Sequence, residues 1–331
     1  DILIINGCTL PHPQRYRVDH QIEQLLASGI YAERINYTDL TLDKLKYYRG
    51  FIFYRCPITP VVEEFIRTAK EENKTVFFDI DDLVIDKKYT DTIKLVKEMK
   101  KEDKAIYDDG VERMQKTLKM CDYAITTTEK LAEELKKYTK EVYINRNVAS
   151  EKMVELSQEA LKNKENHDDV IIGYLSGSIT HNPDVELIQP ILIKMMKKYQ
   201  NLKLKLVGEI ELPSELEEFK DRIIVEPFVD WQKLPEIIAS IDINLAPLES
   251  SVFNEAKSEN KWVEAALVKT VTIASNVGAF NKMINDDVDG VLCSNNKEWE
   301  QKLNKLISDK QYRENLANNA YNRIIKNNIY Y

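Results

Sequence analysis

Short runs of consecutive apolar residues alternate along this chain with longer stretches in which apolar residues recur every third or fourth position. The runs include ILII (2–5), GFIFY (50–54), TVFFDI (75–80), DYAITT (122–127), VIIG (170–173), KLKLV (203–207), DINL (242–245) and TVTIA (270–274). Continuous apolar runs bounded by turn residues read as strands covered on both faces. Tyr31–Asn36, Glu141–Asn145 and Ile223–Glu226 read as further, more polar strands. Helical periodicity fills the intervals: Val18, Ile22, Leu25 and Leu26 stopped at Gly29, then Pro60–Glu71, 89–120, 185–199 and 231–238. Strand, loop, helix, strand is the grammar of a doubly wound α/β sheet. An amphipathic polar stretch from Ser150 ends in KNKENHDD (162–169) and separates two such series. The boundary is set there, giving units of residues 1–167 and 168–331. The region 297–331 reads as two terminal helices, with a return onto the first unit left open.

Composition narrows the picture. A chain of 331 residues is long for one core. Its 43% hydrophobic and 31% charged residues are ordinary for a globular protein. A net charge of −8 argues against a nucleic-acid partner, which needs a basic footprint. No apolar run approaches the roughly 18 residues of a membrane span, and the N-terminus does not resemble a signal peptide. Cys8, Cys56, Cys121 and Cys293 are scattered and beside apolar residues, which fits a reduced, cytoplasmic setting. No histidine pair has metal-ligand spacing, so a zinc site is not expected. The chain enters its first strand directly from Asp1, which suggests a domain of a longer protein.

The candidate chemistry centres on NEAKSENKWVEAALVKTVTIAS (254–275). Lys257, Lys261 and Glu264 stand at i, i+4 and i+7, a spacing that puts them on one face of one helix. Doubly wound sheets bind ligands at the carboxyl ends of their strands. Two ammonium groups there suit a diphosphate, and a carboxylate suits paired ribose hydroxyls. The alternative is an ordinary solvated face. In the second unit's first βα loop, Ser176-Gly177-Ser178 with His181 offers N–H groups to a phosphate, but one glycine does not make a dinucleotide fingerprint. In the first unit, Gly7, Arg15 and Arg17 follow the first strand, and the fourth ends in Asp79-Ile80-Asp81-Asp82. FFDIDDLVID (77–86) resembles the first motif of the haloacid-dehalogenase phosphatases, with Asp79 as nucleophile, Mg²⁺ as cofactor, and Thr126 and Asp286-Asp287 as further motif residues. It also matches, superficially, the Asp-X-Asp metal motif of one glycosyltransferase fold.

A wider resemblance covers most of the chain. PLESSVFNEAKSENKWVEAALVKTVTIASNVGAF (247–280) and DGVLC (289–293) resemble the donor-binding segments of GT-B nucleotide-sugar glycosyltransferases, nearest the retaining family 4. SGSITHNPD (176–184), VDWQKLPEIIASIDINLAPL (229–248), FDIDDLV and RYRV are similar to a bacterial branch of that family. The resemblance implies two Rossmann-like domains facing each other across a cleft. It implies transfer of a hexosyl or deoxyhexosyl unit from a nucleotide diphosphate donor to a glycan or lipid-linked acceptor, in bacterial cell-surface polysaccharide synthesis. It implies no cofactor and no metal, a place in the cytoplasm or at the inner face of the membrane, and leaves open fusion to other polysaccharide-synthesis domains. Lys257 and Lys261 would neutralise the leaving diphosphate, and Asp81 and Asp82 would serve catalysis. Glu264 would hold the ribose, and Ser258, Ser176, Gly177, Ser178 and His181 would contact the donor. Arg15, Arg17 and Asp79 would lie on the acceptor side. The first glutamate of the family's Glu-X7-Glu motif falls on Ala256, and Glu255 and Glu259 are out of register. A non-catalytic sugar-nucleotide-binding or glycan-binding domain is the remaining alternative.

Overall fold

The computed structural model describes residues 1–176, 182–210 and 212–327. The chain divides into two compact units, one formed by Asp1–Asn147 with Ser251–Ser258, the other by Val148–Ser250 with the chain from Glu259 onward.

The first unit is built on a parallel six-stranded sheet. Its strands are β1 (Ile2–Asn6), β2 (Ala32–Asn36), β3 (Gly50–Tyr54), β4 (Thr75–Asp79), β5 (Tyr123–Thr126) and β6 (Glu141–Ile144), in the order β2-β1-β3-β4-β5-β6. Every residue of β3 is buried, whereas the edge strands β2 and β6 are largely open, which is why GFIFY is apolar throughout and AERIN is not. One face packs into a core containing Phe51, Phe53, Phe65, Phe78 and Leu131, with Phe51 and Phe65 edge to face at 4.8 Å. The other face carries Ile4, Val18, Ile52 and Tyr54. The chain leaves β1 for β2 on one side and returns to β3 on the other, so a topological switch point lies at the carboxyl ends of β1 and β3.

The second unit repeats the plan with β7 (Val170–Leu175), β8 (Leu202–Val207), β9 (Ile223–Glu226), β10 (Ile243–Ala246), β11 (Val271–Ser275) and β12 (Val291–Cys293), in the order β12-β11-β10-β7-β8-β9. All pairings are parallel, and the switch point lies at the ends of β7 and β10. Both sheets are therefore doubly wound, as the apolar runs require.

Three expectations change. The boundary lies at Asn147/Val148 rather than at 167/168, because the helix Glu151–Lys162 buries Ala160 and Leu161 against Ile238, Ile241, Ala265 and Val268 of the second unit. The helices Asn296–Ser308 and Lys310–Asn327 pack in the second unit, through Trp299, Leu303, Leu316 and Ala317. The 185–199 stretch is two helices, Asn182–Glu186 and Gln189–Lys198, since Pro190 suits a first turn and not a helix interior.

Candidate active site

At the first switch point, Gly7 and Arg55 meet. A Cβ on Gly7 would lie 2.3 Å from the Arg55 carbonyl oxygen, so this close approach requires glycine. Arg55 itself has φ of 42°, sparsely populated for a residue with a side chain. Its backbone N–H donates to the Asp79 carbonyl at 2.9 Å, and its side chain turns onto the acidic cluster. Nε donates to Asp81 Oδ1 at 2.7 Å and Nη2 to Asp82 Oδ2 at 3.2 Å. Tyr54 Oη donates to Asp81 Oδ1 at 3.0 Å, and Lys257 Nζ to Asp82 Oδ1 at 2.9 Å. Arg55, Asp81, Asp82 and Lys257 thus alternate in charge and are each partly open to solvent. Nothing in the sequence reading singled out Arg55. The available signal was a charged residue directly after a fully apolar strand, next to the end of β1.

Asp79 is different. It is 0% exposed, and Arg17, 1% exposed, grips it with Nε at 3.0 Å and Nη2 at 2.7 Å. Gln21 Nε2 donates to the same carboxylate, and Arg17 Nη1 donates to Asn145 O at 2.7 Å and Asn147 Oδ1 at 3.1 Å. Burial pushes the Asp79 carboxyl up from its ordinary range, and Arg17 and Gln21 pull against that. Asp79 and Arg17 therefore pin the π-type turn Arg15–Asp19 to the ends of β4 and β6. Arg15 is buried and paired with Glu23. The three residues assigned to the acceptor side from the sequence are thus all buried and paired within the first unit. Asp79 is also not placed to act as a phosphatase nucleophile. Asp286 and Asp287 lie in the other unit, where Asp286 accepts from Leu292 N at 2.8 Å and pairs with Lys302 at 2.8 Å.

The single helical face of Lys257, Lys261 and Glu264 is likewise corrected. Ser251 caps a separate short helix, Val252–Glu255, by accepting from Asn254 N at 3.0 Å. Ala256 is then buried in the first unit's core, and its carbonyl accepts from Thr128 Oγ1 at 2.9 Å. Lys257 lies over the Phe253 ring at 4.4 Å, and Ser258 is the last residue of this excursion into the first unit. The next helix begins at Asn260, so Lys257 and Ser258 precede it.

That helix, Asn260–Leu267, connects β10 to β11 and carries Lys261 and Glu264 at i, i+3. Lys261 is held by its neighbours. Its carbonyl accepts from Asn244 Nδ2 at 3.1 Å, and the same amide reaches Thr272 Oγ1 at 3.1 Å. Trp262, 1% exposed, donates from its indole N–H to the Asp289 carbonyl at 2.8 Å, with Arg323 over its ring at 5.0 Å and bridged to Asp289 at 2.6 Å. The Lys261 ammonium lies 4.3 Å from the centre of the Tyr174 ring, at the end of β7. Ser176 follows β7, is 5% exposed, and its N–H donates to Val207 O at 2.8 Å. Gly208, with φ of 112°, passes so close that a Cβ would lie 2.6 Å from Ser176 O. Gly177, Ser178 and His181 lie outside the described residues. Lys261 and Ser176 therefore belong to the end of the sheet where the β7/β10 switch point falls, and Glu264, one turn further along the helix, is half-buried. Among the described residues, no three His, Cys, Asp or Glu side chains are grouped to hold a metal ion. Among the described residues, no helix is long and apolar enough to cross a membrane.

Two doubly wound parallel sheets, each with its switch point at the carboxyl ends of the strands, are the architecture of the GT-B class. A sucrose-phosphate synthase from Thermosynechococcus elongatus is similar in structure, with a TM-score of 0.66 at 14% identity over 99% of this chain and 94% of that one. A glycosyltransferase from Rickettsia africae superposes with a TM-score of 0.62 at 14% identity, over 99% and 94%. Anabaena HepE, solved in complex with UDP and glucose, gives 0.61 at 11% identity over 98% and 94%. No curated protein matches in sequence. The family model "Glycosyl transferases group 1" matches residues 157–323, just over half of the chain. The chain belongs to that family and is a glycosyltransferase.

Proposed function

We propose that this glycosyltransferase moves a sugar from a nucleotide diphosphate donor to a glycan or lipid-linked acceptor in bacterial cell-surface polysaccharide synthesis, with retention at the anomeric carbon and without a metal. The observation that carries the reading is the helix Asn260–Leu267, inside the family match, with Lys261 and Glu264 one turn apart beside the β7/β10 switch point. The HepE structure holding UDP and glucose supports a donor of this kind. In this reading Lys261 meets the diphosphate, and its charge counts most as the leaving group gains negative charge. Glu264 accepts from the ribose hydroxyls. Ser176, Gly177, Ser178 and His181 are assigned to the donor. Asp82 is the more exposed of the two solvent-facing aspartates (26% against 12% for Asp81) and is assigned to the acceptor, held in place by Arg55 and Lys257.

The test is thermal unfolding with a panel of nucleoside diphosphates and nucleotide sugars, in chelator and then in Mg²⁺, on the wild type and Glu264→Ala. A ligand at 100 times its Kd adds about 2.7 kcal/mol. A shift in chelator for one base, lost in the variant, is expected. A shift requiring Mg²⁺ would refute metal independence, and no shift for any nucleotide would refute the donor assignment.

A further inference from the structure

The second unit has a cavity of about 290 Å³ at the opposite edge of its sheet, where β7, β10 and β11 begin. Lys164, Lys269, Lys310 and Arg313 line it, against Glu165, Asp242 and Glu314. The carboxylates are partly committed. Asp242 Oδ2 accepts from Ile171 N at 2.8 Å and faces His167 at 3.8 Å, and Glu314 meets Lys310 only loosely, at 3.7 Å. Among the cations, Arg313 and Lys310 keep donor capacity. Arg313 is 8% exposed, and its Nη1 donates to the Leu306 and Ile307 carbonyls at 3.2 and 3.3 Å. Its Nε and Nη2 have no other partner among the described residues and are not sealed from solvent, on a residue that lines the cavity. Lys164 Nζ is held at the cavity wall by the Val268 and Lys269 carbonyls, both at 3.2 Å, and by Thr270 Oγ1 at 3.3 Å, which together use its three N–H bonds. Burial lowers the Lys164 ammonium from its ordinary value, and Asp242 and Glu314 pull against that.

We propose that this cavity is a second binding site, distinct from the donor site, for a small phosphate-bearing solute. A planar guanidinium edge together with convergent ammonium groups suits the oxygens of a phosphate. The volume holds on the order of ten waters at roughly 30 Å³ each, room for a phosphate with a short polyol body. Free phosphate and a phosphate monoester share this chemistry, and the test separates them.

Melting temperature is followed with inorganic phosphate, glycerol 3-phosphate, glycerol, and sodium chloride at matched ionic strength, each at millimolar concentration. The comparison protein is Lys269→Gly/Lys310→Gln. Lys269 has φ of 52°, so glycine fits its backbone; its ammonium lies over the Tyr321 ring at 4.8 Å, and that of Lys310 meets Glu314 at 3.7 Å. Phosphate and its ester should raise the wild-type melting temperature, while glycerol and chloride do not. The double variant should weaken both by roughly tenfold or more in apparent Kd, since each charged hydrogen bond lost is worth about 1.5–3 kcal/mol. A tighter ester names the monoester as the ligand class, and equal shifts name free phosphate. A phosphate shift unchanged in the variant, or none in the wild type, would overturn the proposal. A uridine diphosphate arm reads the donor site separately, and its success or failure does not alter these outcomes.

Discussion

Replacing Arg17 by methionine removes the partner of a carboxylate that is 0% exposed and leaves Gln21 as its remaining side-chain donor. Stranding one charge of a buried pair costs about 3–5 kcal/mol, far more than losing a surface pair. Three further observations place Arg17→Met at the upper end. Arg17 also satisfies Asn145 O and Asn147 Oδ1, the site is fully enclosed, and the turn it anchors joins the ends of β4 and β6. At a urea dependence of about 2 kcal/mol per molar, the unfolding midpoint of the first unit should fall by roughly 2 M. The probe matters, because Trp231, Trp262 and Trp299 all lie in the second unit. Tryptophan fluorescence therefore follows the second unit, and circular dichroism reports the loss of the first. Arg17→Met/Asp79→Leu removes both charges and should recover most of the deficit. Two results would refute the reasoning: a single variant within about 1 kcal/mol of wild type, or a double variant no more stable than the single. Asp79→Asn should also destabilise, by stranding Arg17, whereas a nucleophile could be replaced at little cost in stability.

Burial, then Arg15, lowers His20 to about 3 from an ordinary 6.5, so it is neutral in the fold. Its stabilising contribution is complete above the unfolded value and is lost as pH falls, by about 2 kcal/mol between pH 7 and pH 5. Urea titrations by circular dichroism at the two pH values should show this loss, and His20→Gln should flatten it. Gly7→Ala should cost about 1–3 kcal/mol by the same probe, because the new Cβ meets the Arg55 carbonyl at 2.3 Å. Lys261→Gln should lower kcat/KM for transfer by at least roughly tenfold with melting temperature unchanged, and an unaltered kcat/KM would remove Lys261 from the diphosphate.

The parallel sheets were legible because strands covered on both faces are largely apolar, as GFIFY and ILII are. The unit boundary was misread because a charged stretch looks like a linker, while Ala160 and Leu161, on the buried side of an amphipathic helix, decide where it packs. The case of Lys257 is more instructive. Spacings of i, i+4 and i+7 identify a helical face only if the helix is continuous, and charge spacing carries no information about continuity. The local chemistry did: Ser251 is a capping residue followed by only a short apolar stretch, and Ala256, a good helix former, is held in a core by its methyl and its carbonyl. Continuity fails where tertiary packing captures one residue within a would-be helix. The same capture accounts for the pairing of Lys257 with Asp82, since a side chain following a residue anchored in the first core is delivered to the carboxyl end of that sheet. Lys257 and Lys261 thus lie four residues apart in sequence but serve different units. The acidic cluster and the helix Asn260–Leu267 are accordingly separable by mutation: Lys257→Met should disturb Asp82 and leave the nucleotide shift intact, while Lys261→Gln should weaken that shift and leave Asp82 paired.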